Sequence, residues 1–290
     1  MDVTLGIIGG SGLYDLPGLD GEWTTVESPW GAPSDQVLVG TLDHTRVVFL
    51  PRHGRGHRVD PTGINYRANI DVMKRCGVTD LVSLSACGSL REDLAPGTFV
   101  IVDQFIDRTF ARPKSFFGPG CVAHVSMAHP VSRDLGDRIE TVARTNGITH
   151  HRGGTYLAME GPQFSSLAES QLYREWGADV IGMTNMPEAK LAREAEIAYD
   201  TVAMVTDFDS WHADHGEVDI TQIIETMTAN GEAARTLVAT LAKTMPGTRE
   251  ACSTGSDTAL EFAIITAPEM RDPALLKKLD AVAGRVLSRG

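Results

Sequence analysis

Thr201-Val202-Ala203-Met204-Val205-Thr206-Asp207-Phe208-Asp209-Ser210-Trp211 is an apolar, β-branched run that ends in two carboxylates with one residue between them. Such a run reads as a buried strand. Ligands in open α/β sheets sit at the carboxyl ends of strands, so Asp207 and Asp209 stand where chemistry is done. Paired carboxylates can bind a metal, move a proton or accept hydrogen bonds from an amino group. The metal reading is the weakest of these, because no further oxygen-rich cluster accompanies the pair.

Other strand-like segments also end in polar loops. Thr45 to Leu50 runs into Pro51-Arg52-His53-Gly54-Arg55-Gly56-His57-Arg58, with three arginines and two histidines in seven residues. Arginine forks match phosphate oxygens, and His53 offers a further hydrogen bond. A solvated basic turn is the plainer alternative. Gly9-Gly10-Ser11-Gly12 follows the first strand and presents backbone amides and a hydroxyl. It completes neither GxGxxG nor a P-loop, and a tight turn fits it equally well. Leu81 to Leu90 ends in a small-residue turn carrying Ser85 and Ala86. No Gx-Ser-xG elbow is present, which argues against a serine hydrolase. Met159 to Ser166 offers Phe164 as an aromatic wall with Ser165 at its edge, although a core aromatic beside a helix cap explains it as well. Val180 to Met186 places Met183 and Thr184 between a strand end and a helix start.

The elements that must position these loops alternate. Strand patterns cover 3–8, 36–42, 45–51, 80–86, 98–103, 120–127, 154–159, 178–183 and 200–206. Helical periodicity covers 63–76, 131–147, 165–177, 186–198 and 219–245. This predicts an α/β fold, a single domain with a mixed central sheet flanked by helices. Composition shifts only after Pro246: residues 247–257 are rich in Gly, Ser and Thr, and 273–288 reads as an amphipathic helix. Residues 247–290 are therefore expected to form a linker and a packing helix, or a lid or subunit contact within the one domain, 1–290.

The chain has 290 residues, 42% hydrophobic and 22% charged, with a formal net charge of −12. That charge disfavours nucleic-acid or membrane-surface binding, while local donors can still hold a phosphate. The apolar runs have strand length, and a strand pattern begins at Val3, which predicts neither a spanning helix nor a leader. Cys76, Cys87, Cys121 and Cys252 form no CxxC pair and suit a reducing cytoplasm.

Taken in order, LGIIGGSGLYDL, PRHGRGH, INYRANI, SACGSLRE, DQFIDRT, MEGPQFSSLAES, WGADVIGMTNMPEAKLAREAEI and VTDFDSW resemble the methylthioadenosine phosphorylase branch of the trimeric purine nucleoside phosphorylases. The similarity runs from the first strand to about residue 225. It implies a homotrimer and phosphorolysis of 5′-methylthioadenosine, in purine and methionine salvage, with inorganic phosphate as co-substrate and neither metal nor organic cofactor. By the resemblance Ser11, Arg52, His53, Ser85, Ala86 and Thr184 bind phosphate, Met183 contacts the ribose, and Phe164 and Ser165 border the base. Asp207 and Asp209 face the purine, Ile220 and Ile223 lie near the 5′ group, and His124 enters from a neighbouring subunit.

The chemistry agrees. Glycosidic cleavage builds positive charge on ribose, which bound phosphate stabilises and then captures. Adenine leaves more readily if a carboxyl held neutral in a dry pocket protonates N7, the role expected of Asp207. Asp209 is expected to assist at N6 or to order the neighbouring loop. A carboxylate opposite position 6 favours 6-aminopurines. Two isoleucines suit methylthio better than hydroxyl, and a 5′-halo-5′-deoxyadenosine is also an expected substrate. Adenosine or methylthioinosine phosphorolysis, a nucleoside-binding module without catalysis, and a dinucleotide-dependent oxidoreductase are the alternatives, the last disfavoured by the incomplete glycine pattern.

Overall fold

The computed structural model describes residues 2–10, 18–212 and 220–288, with 220–223 described by backbone alone. Ser11 lies outside the described residues, as do the side chains of Ile220 and Ile223. Among the described residues an eleven-stranded mixed sheet runs β2-β3-β4-β1-β5-β10-β9-β7, and β11 joins it by pairing with β5 and β6. Here β1 is Thr4–Gly9, β2 Asp20–Thr24, β3 Val37–Leu42, β4 Thr45–Pro51, β5 Asp80–Ser89 and β6 Phe99–Ile101; β7 is Gln104–Asp107, β8 His150–Arg152, β9 Thr155–Ala158, β10 Val180–Gly182 and β11 Ala198–Phe208. The central strands β4, β1, β5 and β11 are parallel neighbours. They bring the ends of four separate sequence segments to one edge of the sheet.

Both faces of these strands are buried, which explains their near-continuous apolar character. In β1, Leu5 and Ile7 enter one apolar layer and Ile8 the other. The first layer is closed by α2 (Arg133–Thr145) and α5 (Ile220–Thr244), through Leu135, Ile139, Leu237 and Leu241. The second is closed by α1 (Tyr66–Arg75) and α4 (Asn185–Glu194), through Ile70, Met73, Ala189 and Leu191. Helix starts follow their caps: Asn65 accepts from the Ala68 amide, and Ser166 and Glu169 form a reciprocal capping box at α3 (Leu167–Glu175).

Several expected elements change. Residues 120–127 form no strand; they meet the C-terminal segment through an isolated bridge, Ala123↔Ile264, and separate bonds such as Val122 N to Thr266 Oγ1 at 2.8 Å. The Gly118-Pro119-Gly120 turn folds that backbone on itself, with Gly118 and Cys121 exchanging amide bonds of 3.0 Å. The strands β2, β7 and β8 were not expected, since all three are short and incompletely buried. The helix expected at 273–288 divides at Leu279 into α6 (Pro273–Lys278) and α7 (Asp280–Leu287). The tail packs on the body: Thr248 bridges Asp2, and Arg285 forks onto Glu196 at 2.7 Å on both arms.

Candidate active site

A cavity of about 240 Å³ opens where β1, β4, β5, β10 and β11 end. Its polar floor comes from Arg52 and His53 after β4, Ser85 and Ala86 of β5, and Thr184 after β10. The Ser85 and Thr184 hydroxyls lie 3.3 Å apart. Thr184 sits at the N-cap of α4, yet its side chain makes no capping bond. A cap hydroxyl released from capping and turned toward a second hydroxyl is a donor prepared for a ligand.

Arg52 is only 1% exposed. Its Nε donates to Glu188 Oε2 at 3.0 Å, its Nη1 to Leu84 O at 2.9 Å, and its Nη2 to Ser83 Oγ at 2.5 Å and Ile8 O at 3.2 Å. Glu188 also accepts from the Tyr199 hydroxyl at 2.9 Å. Nη1 carries two protons and spends one on Leu84, so the other remains for a ligand oxygen. The guanidinium is thus clamped by two strands, β1 and β5, and one helix, α4, before any anion arrives.

On the wall of the same cavity Asp207 is aimed by a bulge. The β11–β5 register shifts between Val205 and Asp207, leaving Thr206 as the extra residue. Thr206 Oγ1 donates to Cys87 O at 3.1 Å or to Asp207 Oδ1 at 2.6 Å. Burial pushes the Asp207 carboxyl up to about 6, the Thr206 hydroxyl works against it, and nearby Asp209 adds to it. The cavity wall includes Asp207 and Phe164 but neither Asp209 nor Ser165. Asp209 is buried one step behind; burial raises its carboxyl, and Ser170, Ser210 and Ser165 around it lower it. Ser210 Oγ donates to Ser165 O at 2.8 Å, tying the two loops together.

Met183 and Phe164, the latter half exposed at 52%, also line the cavity. Met227 of α5 closes an edge. Ile220 and Ile223 precede it at i, i+3 and i+7, the spacing of one helix face. His124 is exposed and lies outside the cavity of its own chain, its amide donating to Ala263 O at 2.9 Å. Cys87, Gly88, His57 and Met227 on the wall, and Glu188 beneath it, were not anticipated. A glutamate in the apolar rhythm of α4 was the available signal for Glu188. Among the described residues no cluster of His, Cys, Asp and Glu has the makings of a metal site.

One glycine is required by contact. A Cβ on Gly182 would sit 1.8 Å from the Tyr156 hydroxyl, which in turn lies 3.4 Å from Ser85 Oγ. Gly182→Ala is expected to lower stability by about 1–3 kcal/mol and raise KM for the anionic reactant, read by thermal melting and steady-state kinetics. Unchanged values of both would contradict that packing.

A model of the family described as the phosphorylase superfamily matches residues 4–243. An S-methyl-5′-thioadenosine phosphorylase of Cereibacter sphaeroides is 65% identical over 288 residues, 99% of this chain and 99% of the relative. Its counterpart from Rhodospirillum rubrum is 63% identical over 284 residues, 98% of this chain and 97% of the relative. Among solved structures, a methylthioadenosine phosphorylase sourced from an antarctic soil metagenomic library matches with a TM-score of 0.91 at 43% identity, covering 97% of this chain and 99% of its own. A Schistosoma mansoni methylthioadenosine phosphorylase in complex with adenine matches with a TM-score of 0.80 at 34% identity, covering 83% of this chain and 91% of its own.

Proposed function

The chain belongs to the phosphorylase superfamily, and from that premise we propose that it cleaves 5′-methylthioadenosine with inorganic phosphate, yielding adenine and 5-methylthioribose 1-phosphate. The observation that carries this reading is a single cavity lined both by clamped anion donors and by a carboxyl pushed up to about 6. A binding module without catalysis would need no cradle for a second reactant.

Phosphate takes the end formed by Arg52, His53, Ser85, the Ala86 amide and Thr184, with Ser11 as a further hydroxyl. The ribose lies against Met183, and the base against Phe164. Asp207, neutral when protonated, donates to N7 as the C1′–N9 bond breaks, while phosphate stabilises the cationic ring and captures C1′. Asp209, set behind the wall and joined to the Ser165 and Ser210 loop, fits the ordering role better than direct contact at N6. Met227 on the wall suits a methylthio group, with Ile220 and Ile223 assigned to the 5′ position by the resemblance, and a 5′-halogen would fit as well. No metal or organic cofactor has a part in this scheme.

His124, exposed on its own chain, would complete a neighbour's site in a homotrimer. Four free cysteines support a reducing cytoplasm as the compartment. Among the described residues no helix is long and apolar enough to cross a membrane.

Base release from methylthioadenosine is expected only with phosphate, and methylthioinosine is expected to turn over at least about tenfold more slowly. A chromatographic assay with and without phosphate measures both. Release without phosphate would mark a hydrolase, and no release from any nucleoside would mark a binding module.

A further inference from the structure

His53 carries its imidazole between a backbone carbonyl and the cavity. Nδ1 lies 2.8 Å from Val59 O. A carbonyl oxygen only accepts, so Nδ1 must bear the proton of that bond. In the neutral ring the other nitrogen, Nε2, then carries a lone pair. The ring is held neutral: burial lowers its pKa to about 4, and Arg52 and His57 add to this against the opposing pull of Val59 and Asp60. His57 stacks on it at 4.2 Å and 10°, fixing the ring plane. His53 shares the cavity wall with Arg52, Ser85 and Thr184.

The arrangement reverses the role expected from sequence, in which His53 donates to the anion. Its donor is already committed to Val59. We infer that His53 accepts a hydrogen bond from the oxyanion's own O–H through Nε2, so that the site selects a tetrahedral oxyanion carrying a proton. This rests on the phosphorolysis reading and deepens it. Phosphate dianion has one O–H and three bare oxygens. The bare oxygens meet the Arg52 proton left on Nη1, the hydroxyls of Ser85 and Thr184, and the exposed backbone at Ala86. The O–H meets Nε2.

The proton balance of the transfer follows. The C1′–N9 electron pair leaves with adenine, and the Asp207 proton goes to N7. A bare phosphate oxygen bonds to C1′. That ester bond makes the remaining O–H more acidic, and its proton shifts toward Nε2. The ester's proton leaves through this hydrogen bond to water and Asp207 regains one from water, so the enzyme is unchanged and one phosphate proton has in effect moved to adenine.

Sulfate tests this, since it has the shape and charge of the phosphate dianion but no proton to give. Coulombic attraction to Arg52 is the same for both, so any difference reports the O–H. Titration calorimetry at about pH 8, where phosphate and arsenate are mostly singly protonated dianions, compares the three anions. Arsenate is expected to bind within a few-fold of phosphate and sulfate about tenfold to a hundredfold more weakly, because a lone pair then faces a lone pair. His53→Gln, whose amide can donate, is expected to bring sulfate to within about threefold of phosphate. Sulfate binding as tightly as phosphate to the unaltered protein would overturn the inference, and that arm holds even if the variant does not fold. A sulfate gap that persists in a folded His53→Gln protein would also overturn it. If phosphate-dependent turnover of methylthioadenosine is present and sulfate binds equally well, only this inference fails. If that turnover is absent, the function itself fails.

Discussion

Asp207→Asn is expected to lower kcat/KM for 5′-methylthioadenosine by roughly 10²–10⁴-fold and, at neutral pH, to make the folded protein more stable. Both effects have one source. The carboxyl lies at the end of β11 in a largely buried site that pushes it up to about 6. A folded-state pKa above the unfolded value means that the folded protein holds this proton more tightly. The stability this contributes is complete below about pH 4, the unfolded pKa, and is lost as pH rises through about 6. At pH 7 the folded protein therefore carries an unfavourably buried charge. Asparagine has the same shape, keeps an oxygen for the Thr206 hydroxyl and carries no charge, so the gain reaches at most about 3 kcal/mol. It has no proton to give to N7. Melting temperatures at pH 5 and pH 7 should show the variant's advantage shrinking at the lower pH. In the unaltered protein kcat/KM should fall as pH rises above about 6, with the phosphate concentration saturating. Full activity in the variant would remove Asp207 from the acid role. A lower melting temperature at pH 7 would sink the electrostatic account.

The aspartates could be located from sequence because a strand ending in a carboxylate declares itself through the break in its apolar run. Arg52, Ser85 and Thr184 were legible for the same reason: each follows a strand, and parallel strands bring their ends together. What could not be read is whatever depends on pairing between distant segments. Alternation alone would have turned Asp207 and Asp209 to the same face. The bulge at Thr206 is a property of the β11–β5 register, and β11 ends at Phe208, so Asp209 falls in the following turn and only Asp207 lines the cavity wall. Glu188 stands out only as a charge in an apolar rhythm, and its role depends on a partner 136 residues away. The His53 tautomer depends on the position of Val59 O, which no local pattern encodes. The exposed strand β2 carries no hydrophobic alternation to find, and 120–127 has apolar residues at strand-like spacing without a partner strand to complete a ladder.

The buried pair of Arg52 and Glu188 separates folding from catalysis. The two side chains are 1% and 2% exposed and meet at 3.0 Å. Glu188→Ala alone is expected to cost about 3–5 kcal/mol, because it strands a cation among Ile8 O, Leu84 O and Ser83 without its counter-charge. Arg52→Met alone should cost a similar amount by stranding Glu188 under Tyr199. Removing both charges together, as Arg52→Met with Glu188→Met, should restore most of that stability, since two apolar chains of similar length fill the space without desolvating any charge. The recovery should be incomplete, because Tyr199 and Ser83 lose polar partners and each unsatisfied group costs about 1–3 kcal/mol. Activity should not recover with it. The double variant lacks the Nη1 donor at the phosphate end, and loss of one such charge-stabilising donor costs about 10²–10³-fold in kcat. The cycle is read by chemical denaturation of all four proteins beside their phosphate-dependent turnover. A strongly positive coupling in stability, with turnover depressed in every variant lacking Arg52, is the expected pattern. Additive stability losses would mean that the pair is not a coupled unit, and normal turnover in the double variant would remove Arg52 from the phosphate site. The prediction is strict because the pair sits directly beneath the cavity: the same guanidinium that closes the core must leave one proton free for the anion.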